Sequence, residues 1–344
     1  MSAFLLRALS LSLSLSLSLS LSLSVLCRCV CVWLCSRDTS VCVCVCVTSG
    51  DYCLTAGRDR LIKLWNPHTQ LLIKTYKGHS LEVNSAEASR DNSRFVSGSS
   101  DKAVMMWDVA TGQCIRKIRA HSGPVNDVRL NEDATIIVSA SYDSTVKCWD
   151  LRSAQHEPVQ TLPEATDSVP GLDLSGHEIL TGSVDGVIRN YDMRMGKLRA
   201  DTVGDPVTCV RFSHDNNCIL AASLDGYVRL FDKDNGSLLG SYTGHVNSEF
   251  KVDCGLSYND AIVAAGSEDG HLHLWDLVNG KELFKHQFHR NVICALSFHP
   301  KTHMHLNLAS PQMCLATASI DGTVCIIKSP ADVMKTLAKT ESDE

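Results

Sequence analysis

Hydrophobic and polar positions along this chain alternate in short blocks, and one block shows the pattern clearly. Residues 136–151 open with an apolar run, turn through the polar stretch 141–144, alternate again, and close on Trp149-Asp150 and a leucine. Two short β-rich runs about a tight polar turn predict a β-hairpin. The pattern recurs at 95–109 and 263–277, each time with Trp-Asp near its end. Few stretches have helical periodicity, so we predict an all-β fold.

An aspartate in the turn of each hairpin marks a repeat. These aspartates are Asp59, Asp101, Asp143, Asp185, Asp225, Asp269 and Asp321. Their successive spacings are 42, 42, 42, 40, 44 and 52 residues. A period of about 40–45 residues, with Gly-His ahead and Trp-Asp behind, is the signature of WD40 propeller blades. We predict one seven-bladed WD40 β-propeller, with an insert at 300–312 that explains the last spacing.

The sequence divides into a leader at 1–48, the propeller at 49–328 and a short charged tail at 329–344. In the leader, residues 11–24 alternate Leu and Ser, and residues 41–47 alternate Val and Cys. CT and GT dinucleotide repeats translate into these dipeptides, so we interpret the leader as a gene-model artefact. A secretory signal is the alternative, although a signal core is continuously apolar and this one is half serine. The same objection disfavours a membrane helix.

The leader stands where a propeller needs two strands, because the N-terminus of such a ring supplies the outer strand of the last blade. We therefore predict that low-complexity sequence replaces the closing strand and the first inner strand. The Val-Cys run begins 18 residues before Asp59, and Val125, at the start of a predicted inner strand, lies 18 residues before Asp143. Since its period-two alternation suits a strand, the run fits the vacant inner position of blade one.

Composition limits the chemistry. The net charge of -6 gives no footprint for nucleic-acid binding, and we expect neither direct nucleic-acid contact nor membrane insertion. Seven of the 16 cysteines lie before residue 47, and the other nine are scattered without a CxxC pair, which favours reduced thiols in a reducing compartment. His299, His303 and His305 lack an acidic or cysteine partner nearby, so we favour a solvated loop over a metal site.

One set of four residues is expected per blade. It consists of the His of a Gly-His or Ala-His pair, a Ser two residues before the turn Asp, the Asp itself and a Trp six residues after it. The complete sets are His79, Ser99, Asp101, Trp107; His121, Ser141, Asp143, Trp149; and His245, Ser267, Asp269, Trp275. Ser, His and Asp together also suggest a hydrolase, but a catalytic triad occurs once, whereas this set recurs at one period. We interpret the sets as buried hydrogen-bond networks in which the Trp N–H donates to the Ser. No other catalytic or cofactor motif is present, so we predict a non-enzyme without cofactor or metal.

The residue before each turn Asp should lie at a hairpin tip on one rim of the ring. A solvent-facing turn favours small polar residues, yet several of these positions are apolar or aromatic. We predict a partner-binding surface there, formed by Arg58, Tyr142, Val184, Leu224 and Ile320. The alternative is that one or more of these side chains folds inward over the channel rim.

Several segments resemble a specific family of WD-repeat scaffolds, the mitogen-activated protein kinase organizers. The similarity rests on DYCLTAGRDRLIKLWNP, SSDKAVMMWDVATGQ, YDMRMGKL and FDKDNGSLLGSYTGH, and it covers about residues 50–298. This resemblance implies a non-enzymatic scaffold that assembles kinases of the extracellular-signal-regulated (ERK) cascade, and we expect the propeller to be monomeric. It also implies an association with spliceosomal proteins in pre-mRNA splicing, and a location in cytoplasm and nucleus.

A second interpretation comes from two Asp-x-Arg boxes 42 residues apart, which end in Arg152 and Arg194. They resemble the double box of propellers that act as substrate receptors of cullin–RING ubiquitin ligases. The alternative is that both are ordinary loop arginines after the third strand of a blade.

Overall fold

The computed structural model describes residues 32–35, 42–46, 52–67, 69–119, 121–153, 157–298 and 314–328. These residues form 28 strands in seven four-stranded antiparallel sheets, and they contain no helix. The seven-bladed all-β propeller predicted from the repeat is therefore confirmed. The tract at 11–24, the insert with its three histidines and the tail at 329–344 lie outside the described residues. Within the described residues no helix is long and apolar enough to cross a membrane.

Six blades are built from strands that are consecutive in the chain, ordered from the innermost strand to the outermost. Blade one contains β2 (Cys42–Cys46), β3 (Cys53–Gly57), β4 (Leu61–Asn66) and β5 (Leu71–Lys77). Blade two contains β6 (Val83–Ala88), β7 (Arg94–Ser99), β8 (Ala103–Asp108) and β9 (Cys114–Arg119). Blade three contains β10 (Val125–Leu130), β11 (Ile136–Ser141), β12 (Val146–Asp150) and β13 (Gln160–Leu162).

The remaining blades follow the same order. Blade four contains β14 (Gly171–Ser175), β15 (Glu178–Gly182), β16 (Val187–Asp192) and β17 (Lys197–Thr202). Blade five contains β18 (Val207–Phe212), β19 (Cys218–Ser223), β20 (Tyr227–Asp232) and β21 (Leu238–Tyr242). Blade six contains β22 (Cys254–Leu256), β23 (Ile262–Ala265), β24 (His271–Asp276) and β25 (Glu282–Gln287). Blade seven contains β26 (Ile293–Phe298), β27 (Cys314–Ser319), β28 (Thr323–Lys328) and β1 (Val32–Cys35).

Strand β1 closes the ring, because it comes from the leader and pairs antiparallel with β28, with Val32 opposite Ile326. Strand β2 comes from the Val-Cys run and pairs with β3, so the run occupies the inner position of blade one, as the alternation predicted. Both vacant positions are thus filled by the backbone of the leader.

The apolar core lies between blades. Seven clusters of buried side chains each combine residues of two neighbouring blades. In the cluster between blades one and two, Tyr76 packs edge-on against Phe95, with ring centroids 4.7 Å apart, beside the buried Trp107. Each blade therefore has an apolar face on both sides, which is why the strands have near-continuous buried patterns. Gly98 shows how tight the junctions are, since a Cβ there would lie 2.7 Å from Val125 Cγ1 of the next blade.

The turn after each second strand has one conformation in all seven blades. The residue that follows the turn Asp always has a positive φ. These residues are Arg60, Lys102, Ser144, Gly186, Gly226, Gly270 and Gly322. The Asp carboxylate accepts the backbone N–H two residues further on, as in Asp143 with Thr145 (3.1 Å) and Asp101 with Ala103 (3.1 Å). The recurrent aspartate is therefore first a turn residue, which fixes the tip of the hairpin.

The innermost strands surround a channel with a cavity of about 850 Å³. Carboxylates on these strands accept backbone N–H groups of the next blade: Glu87 from Leu130 (2.5 Å) and Asp173 from Phe212 (2.8 Å). The Arg211 guanidinium pairs with Asp253 at 2.9 Å. Polar side chains thus join neighbouring blades around the channel.

Candidate protein-interaction site

Blades two and three each hold a buried chain of four side chains. In blade three the Trp149 Nε1–H donates to Ser139 Oγ (2.9 Å), Ser139 Oγ lies 2.7 Å from His121 Nε2, and His121 Nδ1 lies 3.0 Å from Asp143. Blade two repeats the chain through Trp107, Ser97, His79 and Asp101, at 2.9, 2.7 and 3.2 Å. The chain ties the hairpin tip to the connector that enters the blade.

The serine of this chain is not the one predicted from the sequence. Ser99 and Ser141, two residues before the Asp, accept the Asp backbone N–H (3.1 Å) and donate to connector carbonyls, as Ser141 does to Pro124 (2.8 Å). The Trp N–H instead reaches the serine four residues before the Asp. Both serines point to the same side of their strand, but the register places Trp107 opposite Phe95, so Ser97 is one diagonal step away and Ser99 two.

Blade six, predicted as a third complete set, lacks the chain. Ala265 stands at the position of Ser97 and Ser139, and both ring nitrogens of the buried His245 have no hydrogen-bond partner. The Trp275 Nε1–H donates to the Thr243 carbonyl instead (3.2 Å). Ser267 bonds to Val246 (3.0 Å), and Asp269 pairs with His271 (3.0 Å). Without that hydroxyl, His245 is in contact with Trp275 only through the two rings, whose centroids lie 5.7 Å apart, and Ser267 and Asp269 bond to each other without the histidine.

A further network, in blade seven, was missed. His289 Nε2 lies 2.9 Å from Thr317 Oγ1, and its Nδ1 lies 2.8 Å from Thr323 Oγ1, which contacts Asp321. His289 follows a phenylalanine rather than glycine, and Ile327 replaces the Trp, so the motif gave no signal. The insert also widens the spacing between the histidine and the turn aspartate. It is 32 residues from His289 to Asp321, against 22 residues from His121 to Asp143, and this difference concealed the network in the sequence.

The networks hold neutral histidines rather than reactive ones. Burial lowers the pKa of His121 and outweighs the opposing effect of Asp143, and the same holds for His79 beside Asp101. Burial lowers the pKa of His245 to about 4, helped by the neighbouring His273. Ser97 and Ser139 are fully buried and hydrogen-bonded to Trp and His, so neither is accessible as a nucleophile. No group of three or more potential metal ligands lies together in the described part of the chain.

The seven turn aspartates and the connectors between blades lie on one face, which we call the channel face. Tyr142 is 64% exposed at the tip of its turn, and it lines the channel mouth together with Arg58 and Ile320. Val184 and Leu224 are half-buried and do not line the mouth, so the structure brings together only part of the predicted surface.

Phe250 completes the mouth and was missed, because it lies in a connector rather than before a turn Asp. It is 43% exposed and lines the cavity. The Glu268 carboxylate holds its loop by accepting the backbone N–H groups of Ser248 (2.7 Å), Glu249 (2.7 Å) and Phe250 (3.0 Å). These bonds offset burial and lower the pKa of Glu268. An exposed aromatic ring on a held loop suits an interaction surface.

Arg152 and Arg194 lie on the opposite face, in the turns that follow the third strand of blades three and four. Asp150 Oδ1 accepts the backbone N–H of Arg152 (2.8 Å), and Asp192 Oδ1 accepts that of Arg194 (2.9 Å). Asp276 caps the equivalent turn of blade six on Val278 (3.0 Å) without any arginine. The Asp of each box is therefore a turn-forming residue that other blades also have. The arginines distinguish the two boxes from the equivalent turn of blade six.

Comparison with known proteins agrees with this geometry. The WD domain, G-beta repeat family matches residues 70–108, 112–150, 196–232, 236–276 and 280–328, more than half of the chain. WD repeat domain-containing protein 83 of Rattus norvegicus is 56% identical over 251 residues, 73% of this chain and 80% of the relative. The human protein of that name is 63% identical over 214 residues, 62% of this chain and 68% of the relative. The Dictyostelium discoideum homolog is 32% identical over 283 residues, 74% and 86% of the two chains.

The chain belongs to the WD repeat domain-containing protein 83 family. This membership is consistent with the resemblance to the mitogen-activated protein kinase organizers. WD40 propellers are typically non-enzymatic scaffolds that bind other proteins. Residues 151–195, which the repeat family does not match, contain the fourth-blade hairpin in which Tyr191 replaces the Trp and Arg189 pairs with Asp185 (2.8 Å).

Proposed function

We propose that the protein is a scaffold that assembles components of the ERK kinase cascade through its channel face, with a further role in pre-mRNA splicing complexes. The observation that carries the proposal is the mouth itself, where Tyr142 and Phe250 are exposed around the cavity that Arg58 and Ile320 also line. Tyr142 lies on a hairpin tip tied by a buried network, and Phe250 lies on a loop held by Glu268. Exposed aromatic residues on a rigid rim are typical anchors of protein–protein contacts. The resemblance to the kinase organizers supports the choice of partners and a location in cytoplasm and nucleus.

The test is affinity purification of the tagged full-length chain from cells, followed by mass spectrometry, with Tyr142→Ala plus Phe250→Ala as the surface variant. We expect kinases of the cascade or splicing factors with the wild-type chain, and a severalfold lower yield with the variant at an unchanged thermal transition. Wild-type yields with the variant would refute a docking role for the mouth. Loss of the fold would instead assign these two residues to the core.

A substrate receptor of a cullin–RING ligase is the second candidate. The 70% exposure of the Arg152 side chain, on the face opposite the mouth, favours it. Recovery of the ligase adaptor in stoichiometric yield, lost in Arg152→Ala plus Arg194→Ala, would support this function. Absence of the adaptor from the wild-type purification would eliminate it.

A further inference from the structure

The exposed charges of the channel face are divided into two arcs of opposite sign. The basic arc runs from the connector into blade seven, through blades one and two, to the last strand of blade two. Its exposed cations are Arg290, Arg58, Arg60, Lys77, Lys102 and Arg119. Among the described residues of this arc, Glu82 is the only exposed carboxylate, and it pairs with Arg58 at 3.7 Å. Five of the six cations therefore have no ion pair among the described residues.

The acidic arc occupies the connectors that enter blades four, five and six. Its exposed carboxylates are Glu164, Asp167, Asp205 and Glu249. Lys251 is the only lysine or arginine in these three connectors, and its Nζ donates to the Pro170 carbonyl (2.6 Å). The turn aspartate of blade five adds no free charge, because Asp225 is paired with Arg229.

The basic arc coincides with one side of the channel mouth. The hairpin tips of blades seven, one, two and three line the cavity with Ile320, Arg58, Ser100 and Tyr142. Phe250 lines it from the opposite side. A ligand on the basic arc would therefore have an aromatic-rimmed cavity directly beside it, on the inner side of the ring.

We propose that this part of the channel face binds an acidic segment of a partner protein. The acidic residues of the segment lie along the basic arc, and an apolar side chain of the segment enters the mouth between Tyr142 and Phe250. A nucleic-acid strand fits less well, because its continuous phosphate charge would meet the acidic arc beyond the mouth, whereas a short segment ends before it. This inference rests on the scaffold function and specifies the chemistry of the partner.

The direct test is fluorescence anisotropy with the full-length chain and a fluorescein-labelled synthetic peptide in which glutamates flank a central Leu-Phe pair. Two competitors are used: the same peptide with lysines in place of glutamates, and single-stranded oligouridylate. The surface variant is Arg58→Glu plus Arg60→Glu. The matched control is Lys197→Glu plus Lys281→Glu, two exposed lysines at the turns after the third strands of blades four and six, which reverses the same number of charges on the opposite face.

We expect the acidic peptide to bind, with an affinity that falls as salt is raised and that drops about tenfold or more in the surface variant. The control variant should bind as wild type does, and the lysine peptide should not compete. Equal affinity in the surface and control variants, competition by the lysine peptide, or stronger competition by oligouridylate would each overturn the proposal. A thermal transition for each variant excludes loss of fold as the cause.

Failure of this inference is distinguishable from failure of the scaffold function. If the surface variant recovers cellular partners as the wild type does, while Tyr142→Ala plus Phe250→Ala loses them, the mouth is a docking site and its partner is not acidic. If both variants lose the same partners, both proposals are supported.

Discussion

Removal of the Asp143 carboxylate gives the sharpest test of the buried networks. Asp143 accepts from His121 Nδ1 (3.0 Å), from the backbone and hydroxyl of Ser122 (2.9 and 3.2 Å), and from the backbone and hydroxyl of Thr145 (3.1 and 2.5 Å). In Asp143→Ala, water can replace the carboxylate at Ser122, which is exposed, but not at His121, whose side chain is 1% exposed. A buried donor left unsatisfied costs about 1–3 kcal/mol.

Adding the partial loss at the half-buried Thr145, we expect Asp143→Ala to lower the free energy of unfolding by about 2–3 kcal/mol. At about 2 °C for each kcal/mol in a domain of this size, the melting temperature should fall by about 4–6 °C. Urea unfolding followed by tryptophan fluorescence measures the change, since Trp149 belongs to the same network. A melting temperature within about 1 °C of wild type would refute the buried-network reasoning.

Asp269→Ala is the matched control, because Asp269 holds the same turn position in blade six but makes no bond to His245. We expect it to cost less than about 1 kcal/mol. The pH dependence adds a second check. Burial opposes ionisation of Asp143, but the bonds from Thr145 and His121 hold its pKa well below the usual range. Its stabilisation is thus present above the unfolded pKa of about 4 and lost in stronger acid, so the gap between wild type and Asp143→Ala should close below about pH 4.

Three further predictions concern other positions. Ala265→Ser should supply the hydroxyl that Ser139 provides in blade three and stabilise the fold by about 1 kcal/mol through His245, measured by urea unfolding; an unchanged midpoint would mean that the hydroxyl does not reach the ring. Burial lowers the pKa of both His245 and His289 to about 4, so these rings become protonated at lower pH in the folded state than in the unfolded state. The free energy of unfolding should therefore fall as pH drops from about 6.5 towards 4. An unfolding free energy that stays constant across that interval would contradict the burial of both histidines as neutral rings. Gly98→Ala should cost about 1–3 kcal/mol because its Cβ would meet the valines of the next blade, and a thermal transition equal to wild type would show that the junction can relax.

The sequence alone determined the repeat, and with it most of the architecture. Each hairpin brings its own turn aspartate and alternation, and these local signals do not depend on the rest of the fold. They predicted seven blades, and hairpins such as the one at 136–151, which the structure forms from β11 and β12. The position of β2 as the innermost strand of blade one also followed from its spacing and its period-two alternation. A strand at that position requires little from the sequence beyond a suitable length and alternating side chains.

Only the tertiary structure decided which side chains meet. Ser97 and Ser99 have the same residue type and strand side, and the register across to β8 selects Ser97 as the partner of Trp107. The ring nitrogens of His245 lack hydrogen-bond partners because the neighbouring strand has no hydroxyl at Ala265. This position is not part of the predicted motif. Contacts of this kind depend on distances of a few ångströms between strands, whereas the repeat pattern depends only on residue order.

The channel mouth shows the same division. Tyr142 was visible in the sequence because it departs from turn chemistry at a repeated position. Phe250 reaches the same mouth from a connector of irregular length, held by Glu268, and no period predicts where such a connector points. The two charge arcs likewise emerge only when the ring places the connectors of blades four to six opposite the tips of blades one and two, since residues distant in sequence become neighbours only on the closed ring.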